Sequence, residues 1–168
     1  MKYLQLSIPE LGATAEISHF VPGNGTEEWH AILHIEPRME MFAGQYSRIH
    51  QAEEHVMQLA ELKGAQPVFK RYFLSDSTNQ QPVIQQEQHA QCTVSYIQQP
   101  PLDGSKVALW IYLQRGTDIR YTTDDTGSTV VSHNGYSHIW TMGLADSDGD
   151  SHRQTETLLA RYGQILSG

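Results

Sequence analysis

One cysteine and a nearby histidine are the residues of this sequence whose types suit nucleophilic chemistry. Cys92 is the sole cysteine of the chain, and His89 precedes it by three residues. A thiol becomes a nucleophile when a neighbouring base or cation favours the thiolate. A lone cysteine beside a predicted strand also suits a small, buried, apolar position. The sequence leaves both interpretations open, and no nucleophile elbow, P-loop or dinucleotide-binding fingerprint accompanies the pair.

The nine histidines raise the question of a metal site. His30 and His34 stand about 13 Å apart along a predicted strand, at roughly 3.3 Å per residue, which is too far for one ion. His133 and His138 flank a turn, and no acidic or cysteine ligand follows at zinc spacing. We therefore predict neither a metal nor a cofactor.

The acidic segment 146–150 has the composition of a calcium-binding loop without its spacing. Its Gly149 occupies the fourth loop position instead of the sixth, and Glu156 the eleventh instead of the twelfth. The alternative is a turn whose Asp150 or Ser151 caps a following helix, where acidic groups are favoured. We favour the capping interpretation.

Composition excludes several classes of protein. A chain of 168 residues that is 39% hydrophobic suits one domain, or one domain and part of another. The net charge of −8, with Lys70 and Arg71 as the only adjacent basic pair, argues against binding to nucleic acid. A single cysteine forms no intrachain disulfide. The first nine residues lack the apolar core of a signal peptide, and no apolar run is long enough to span a membrane. We expect a cytoplasmic protein with no membrane partner.

The hydrophobic pattern predicts an α+β fold with many strands. Strands are predicted at 3–8, 13–21, 29–35, 68–74, 93–97 and 107–113, followed by a hairpin at 119–123 and 128–132 and a strand at 137–144. In the third strand, alternate residues are expected to face the core, namely Trp29, Ala31, Leu33 and Ile35, and the others to face away, namely His30, Ile32 and His34.

The clearest single element is an amphipathic helix at 46–63. Apolar residues recur there at steps of three and four, at Ile49, Ala52, Val56 and Leu59. Its polar residues are expected mostly on the wetter side, namely Gln51, Glu53, Glu54 and Gln58. Gly64 is expected to cap its C-terminus, because glycine tolerates the left-handed conformation. A turn at 75–80 should precede a short helix at 82–88. A second amphipathic helix is predicted at 154–166. Its first residues, 154–156, weakly repeat residues 51–53 of the first helix.

Three stretches of the sequence, 67–80, 90–113 and 135–166, together resemble the Rid (YjgF-like) family. The first is similar to the strand and acidic turn that follow the long helix of the family. The second resembles the strand–Pro–Asp–strand segment that closes the domain. The third looks like the opening strand and helix of another unit, as in the paired units of chorismatase-type proteins. The resemblance implies a Rid-like domain at 1–115 and a half-unit, made of a hairpin, a strand and a helix, at 116–168. The implied fold is that of a small chorismate mutase, with helices on one face of a mixed sheet.

The resemblance also implies homotrimers with pockets between subunits, and hydrolysis of reactive enamines and imines. That activity depends on an arginine that clamps a substrate carboxylate. Gln91 stands in its place, and Trp110 stands where the family often has a glutamate. We therefore expect an interface pocket for a small metabolite, lined by Gln91, Cys92, Arg71 and Trp110, and the sequence leaves open whether the protein is an enzyme.

The alternative is an enamine or imine deaminase, or a chorismatase-type enzyme, in which Arg71 or Arg120 restores the lost charge. A third option, an endoribonuclease, conflicts with the acidic charge. The half-unit would leave an open sheet edge, which natural proteins usually cover. We expect it to pack against another subunit or to continue in a longer chain.

Overall fold

The computed structural model describes residues 1–168 except 24, 88–91, 117–118, 124–127, 134, 145 and 168. The helices are α1 (Phe42–Met57), α2 (Ser77–Glu87) and α3 (Ser151–Ser167). The strands are β1 (Lys2–Ile8), β2 (Ala13–Phe20), β3 (Thr26–Ile35), β4 (Gln66–Leu74), β5 (Thr93–Gln98), β6 (Val107–Gly116), β7 (Arg120–Thr123), β8 (Thr129–His133) and β9 (Tyr136–Trp140). Short 3₁₀ turns lie at Pro9–Leu11 and Ala60–Leu62.

Six strands form the main sheet, in the order β1-β2-β3-β6-β4-β5. All neighbours are antiparallel except β4 and β5, which are parallel and are connected through α2. A parallel pair needs such a crossover, because the chain must return to the same end of the sheet. The remaining strands form a separate antiparallel sheet, β7-β8-β9, which we call the small sheet. The predicted α+β class with a mixed sheet is confirmed.

The core lies between the main sheet and α1, on what we call the inner face of the sheet. Helix α1 packs on β2, β3 and β6, and α2 packs on β5 and α1. The alternation predicted for β3 is confirmed, since the side chains of its inner residues are at most 2% exposed, namely Trp29, Ala31, Leu33 and Ile35. The apolar stripe of α1 buries completely at Ile49, Ala52 and Val56.

The predicted bounds of α1 were wrong at both ends. The helix begins at Phe42, which extends the apolar stripe one turn backwards, and ends at Met57. Leu59 is extended, with φ −60° and ψ 137°, so the chain leaves the helix there and makes the turn Ala60–Leu62. Gly64 does have φ of +82°, but it follows this 3₁₀ turn and does not cap α1.

Helix α2 begins earlier than predicted, within the segment that we expected to be a turn. Asp76 caps it, because the Asp76 carboxylate accepts a hydrogen bond from the backbone N–H of Asn79 at 3.3 Å. Pro82, which the prediction placed near the helix start, lies inside the helix. The acidic turn and the short helix are therefore one element.

The small sheet packs on the opposite face of the main sheet, which we call the outer face. Val131 of β8 is buried against Phe69 and Tyr112, and the Thr129 hydroxyl accepts a hydrogen bond from the backbone N–H of Thr93 at 2.8 Å. The predicted hairpin is confirmed as β7 and β8, whereas β9 ends at Trp140 instead of residue 144.

Helix α3 begins at Ser151, three residues earlier than predicted, and has no buried residue among those described. The Asp150 carboxylate accepts a hydrogen bond from the backbone N–H of Arg153 at 3.0 Å, which confirms the capping interpretation of the acidic segment. Within the described ranges, no helix combines the length and the hydropathy that a membrane crossing requires.

Candidate ligand site on the outer face

Arg71 and Trp110 face each other on the outer face of the main sheet. They are direct cross-strand partners on the antiparallel strands β4 and β6. The guanidinium carbon of Arg71 lies 5.5 Å from the Trp110 ring centroid and 5.9 Å from that of Phe69, two residues before it on β4. Both distances are within the range of cation–π contacts. The structure thus brings together two of the four residues predicted to line a pocket.

The charge of Arg71 has no acidic partner among the described residues. No ion pair formed by the described part of the chain includes it. Its Nε is buried without a hydrogen-bond acceptor, and its Nη2 reaches only the sulfur of Met142, at 3.6 Å. A thioether is a weak acceptor. A partly buried guanidinium therefore keeps strong donors unused.

A second unused donor lies in the same cluster. The indole Nε1 of Trp140 is also buried without an acceptor. Its ring packs at 5.0 Å from Phe69 and at 5.2 Å from Tyr112, so both unused donors belong to side chains that contact Phe69. Buried N–H groups without acceptors are rare, so both donors are candidates for contact with a water, an ion or a ligand, although the Nε of Arg48 in the core is a further such group among the described residues.

The other wall of the cluster is neutral. The Trp110 indole donates a hydrogen bond to Nδ1 of His30 at 3.2 Å. Burial lowers the pKa of His30 below its ordinary value of 6.5, although the nearby charge of Glu28 acts in the opposite direction. A neutral imidazole that accepts at Nδ1 leaves Arg71 as the positive charge of the cluster.

An apolar cleft lies two residues further along β4 on the same face, and we call it the outer cleft; Arg71 itself does not line it. Two of its lining residues lie one step of about 7 Å from the cluster. Phe73 follows Arg71 by two residues on β4, and Ala108 precedes Trp110 by two residues on β6. The cleft has a volume of about 230 Å³ and is lined by Ile32, His34, Phe73, Gln99, Pro100, Pro101, Leu102 and Ala108. At its far end, Nδ1 of His34 lies 4.0 Å from the Asp103 carboxylate.

A cleft of similar size, about 240 Å³, lies on the inner face beside β1. Its lining includes Lys2 and His19, and the imidazole of His19 already pairs with Glu27 at 2.9 Å. None of the described side chains with an unpartnered buried polar atom lines it. The lining of the outer cleft includes no such side chain either, but its Phe73 lies two residues from Arg71 on the same face of β4. We therefore take Arg71 and the outer cleft together as the candidate ligand site.

Cys92 lies away from this site. The side chain of Thr93 points outward, because its hydroxyl donates to the backbone carbonyl of Trp140 at 3.0 Å. Its neighbour Cys92 is buried near the inner pair of Lys70 and Glu53, whose Nζ and Oε1 are 2.5 Å apart. Burial raises the pKa of the Cys92 thiol to about 11, which keeps it protonated at neutral pH. This thiol has the properties of a small core residue.

Gln91 and His89 lie outside the described residues, so the predicted substitution at the arginine position has no structural description. Arg120, the alternative source of charge, is exposed on β7 opposite Ser132 and takes no part in the cluster.

Sequence reasoning missed two residues of the cluster, Trp140 and Met142. A usable signal was the run of large side chains at alternate positions on β4 and β6, at Phe69, Phe73 and Tyr112 beside Arg71 and Trp110. Large apolar residues on both faces of a strand indicate that both faces are covered.

The histidines form no metal cluster in the described part of the chain, where no group of three His, Cys, Asp or Glu side chains converges. His133 and His138 do come together across β8 and β9, with ring centroids 5.5 Å apart and planes at 13°. Such stacking directs the ring nitrogens away from a shared ion.

The site must be interpreted from its own chemistry, since no protein-family model, no curated protein and no solved structure matches this chain.

Proposed function

We propose that this chain binds a small carboxylate-bearing metabolite on the outer face, with the carboxylate at Arg71 and an apolar body in the outer cleft. The observation that carries the proposal is the pair of buried, unused N–H donors on Arg71 and Trp140. A carboxylate accepts several hydrogen bonds and matches the planar fork of a guanidinium. A neutral or cationic ligand would leave the charge of Arg71 unbalanced.

The apolar lining of the outer cleft supports an organic acid over a free inorganic anion. Six of its lining residues are apolar, namely Ile32, Phe73, Pro100, Pro101, Leu102 and Ala108. Small-molecule sites typically combine such a lining with a few polar groups that fix orientation. Here Arg71 lies at one end, and His34 and Gln99 are the polar side chains of the cleft.

The same geometry favours binding over the enamine or imine deaminase alternative. Hydrolysis needs an acid or base that positions water close to the bound carboxylate. Trp110 occupies the direct cross-strand position next to Arg71, and the Nδ1 lone pair of His30 is already engaged. No carboxylate of the described residues forms an ion pair with Arg71.

The Rid resemblance enters as part of this proposal. The order of elements in residues 1–115, with a helix on the inner face between β3 and β4, supports a Rid-like unit. The half-unit at 116–168 remains a prediction. A pocket between subunits is not required, because Trp140 and Met142 of the same chain already contact Phe69 and Arg71.

Calorimetric titration with pyruvate, phenylpyruvate and benzoate tests the proposal. We expect an aromatic or apolar acid to bind more tightly than pyruvate, and the corresponding neutral amide not to bind. Arg71→Met should weaken binding about 10- to 100-fold, because each charge-assisted hydrogen bond contributes roughly 1.5–3 kcal/mol. Arg120→Met is the matched control and should bind like the parent chain.

Two results would contradict the proposal: no binding of any of these acids at millimolar concentration, or binding that Arg71→Met leaves unchanged. Ammonia release from 2-aminoacrylate is measured in parallel. Release that disappears in Arg71→Met would replace the binding function by the deaminase alternative.

A further inference from the structure

Strand β1 forms an unprotected edge of the main sheet. It is the terminal strand and pairs with β2 alone among the described strands. The pairing runs without a bulge from Lys2 opposite His19 to Ile8 opposite Ala13. Natural edge strands are usually short, bulged, charged or interrupted by proline. β1 has seven residues, and Lys2 at its start is its one charged side chain.

The large side chains of β1 are unusually exposed to solvent. The inner residue Leu4 is 39% exposed and the outer residue Tyr3 is 60% exposed, so large side chains are open to solvent on both faces of the strand. Leu6, the next inner residue, is only partly buried. In the strands further into the sheet, the inner positions are nearly all covered. A further strand alongside β1 would cover them here.

We propose that β1 pairs antiparallel with β1 of a second copy of this chain, about a two-fold axis at Gln5. Two sheets then join into one, with backbone hydrogen bonds across the former edges. A two-fold contact uses the same surface on both protomers and closes on itself, which gives a dimer and no larger assembly.

The sequence of β1 is complementary to itself in this register. Leu4 of one protomer lies opposite Leu6 of its partner on the inner face, so the two cores become continuous. Tyr3 lies opposite Ser7 on the outer face. Lys2 lies opposite Ile8 at each end, which keeps the two Lys2 side chains about 20 Å apart along the strands. Like charges therefore do not meet, and a second copy fits better than an unrelated strand.

The cleft on the inner face beside β1 also supports a second copy of this chain as the partner. It is lined by Leu4, Ile17 and Leu62, among others, and has a volume of about 240 Å³. The proposed register brings Leu6 of the partner to the Leu4 rim of this cleft. This contact lies at the opposite end of the sheet from β5, so it is independent of the ligand site at Arg71.

Light scattering during size exclusion gives the first test. The expected mass is twice the 19.0 kDa of the chain. A mass of one chain would overturn the proposal, and so would the mass of three chains that the Rid resemblance implies.

A cross-link tests the register. In a Cys92→Ala background, Gln5→Cys places one thiol per protomer at the two-fold axis. Directly opposed Cα atoms of antiparallel strands are about 4.5–5.5 Å apart, within the range of a disulfide. The matched control is Glu16→Cys, the partner of Gln5 on β2, whose two copies would be about 15 Å apart at the usual strand spacing. A covalent dimer of Gln5→Cys alone is expected; cross-linking of both or of neither would overturn the register and with it the proposal.

A charge placed in the interface tests the contact itself. Leu4→Lys should reduce the mass from two chains to one with an unchanged far-UV circular dichroism spectrum. Leu159→Lys, on the exposed face of α3 where Leu159 is 65% exposed, should leave the dimer intact. The reverse pattern would assign the contact to α3 and refute pairing through β1.

Discussion

Two adjacent cations on β4 should differ in how much their substitution destabilises the fold. Lys70 points to the inner face and pairs with Glu53, and both side chains are well buried, at 14% and 7% exposure. Arg71 points to the outer face and has no acidic partner among the described residues. The contrast separates a cation that stabilises the fold from one that is kept for a ligand.

Lys70→Met should cost about 3–5 kcal/mol of unfolding free energy, because it leaves the buried carboxylate of Glu53 without its main partner. Among the described residues, His50, 3.9 Å away, is then the remaining ion-pair partner of that carboxylate. Replacing both residues, in Lys70→Met with Glu53→Leu, should recover much of the loss, since a buried ion pair is often no more stable than an apolar one.

Arg71→Met should change the unfolding free energy by no more than about 1 kcal/mol. Two cation–π contacts of roughly 0.5–1 kcal/mol each are lost. The buried and unpartnered Nε–H, which costs roughly 1–3 kcal/mol, disappears at the same time. These terms nearly cancel.

Urea unfolding at equilibrium, at neutral pH, measures both variants. A ligand at 100 times the Kd of the parent chain should add about 2.7 kcal/mol to the parent chain and to Lys70→Met, and only about 0.4–1.4 kcal/mol to Arg71→Met, whose binding is 10- to 100-fold weaker. A loss of more than about 2 kcal/mol in Arg71→Met would refute the reasoning, because it would make Arg71 a structural residue.

Three further predictions concern ionisable groups in the core or beside it. The Glu53 carboxylate, 3.9 Å from Nδ1 of His50, raises the pKa of His50 above 6.5. Burial raises the pKa of Glu53, but the nearby His50 and Lys70 outweigh it, so that this pKa lies below 4.5. The His50 contribution to stability is complete below pH 6.5 and is lost as pH rises through the folded pKa. The Glu53 contribution is complete above pH 4.5 and is lost as pH falls through its folded pKa. Urea midpoints should therefore peak between these pH values, and Glu53→Gln should flatten both sides. Native Cys92, with its pKa of about 11, should resist iodoacetamide at pH 8 and react fully in urea, and rapid native labelling would contradict its burial. Arg48→Met should lower the unfolding free energy in the urea assay by about 3 kcal/mol. The buried guanidinium of Arg48 donates hydrogen bonds to the backbone carbonyls of Leu11 and Glu36, at 3.0 and 2.9 Å, and the variant loses both. An unchanged midpoint would show that these bonds contribute nothing.

Periodicity predicted the elements but not their ends. The alternation of β3 and the stripe of α1 were read correctly, because each repeats a local geometry over many residues. The end of α1 at Met57 was missed, since the apolar Leu59 fits the stripe whether or not the backbone stays helical. Glu53 was placed on the wetter side, yet its carboxylate is buried against Lys70 of a strand seventeen positions later. A buried ion pair between distant residues has no local pattern.

By itself, the sequence determined the α+β class and the core-facing residues of β3 and α1, and it named Arg71 and Trp110 among the pocket candidates without placing them side by side. Only the tertiary structure decided what surrounds Arg71. Met142 and Trp140 lie about seventy positions further along the chain, and they reach it because the small sheet folds over the outer face. The tertiary structure also separated Cys92 from Arg71, since neighbouring residues of a strand point to opposite faces. Whether a donor finds an acceptor depends on contacts between distant segments, and that is why the unused donors of this site were visible only after folding.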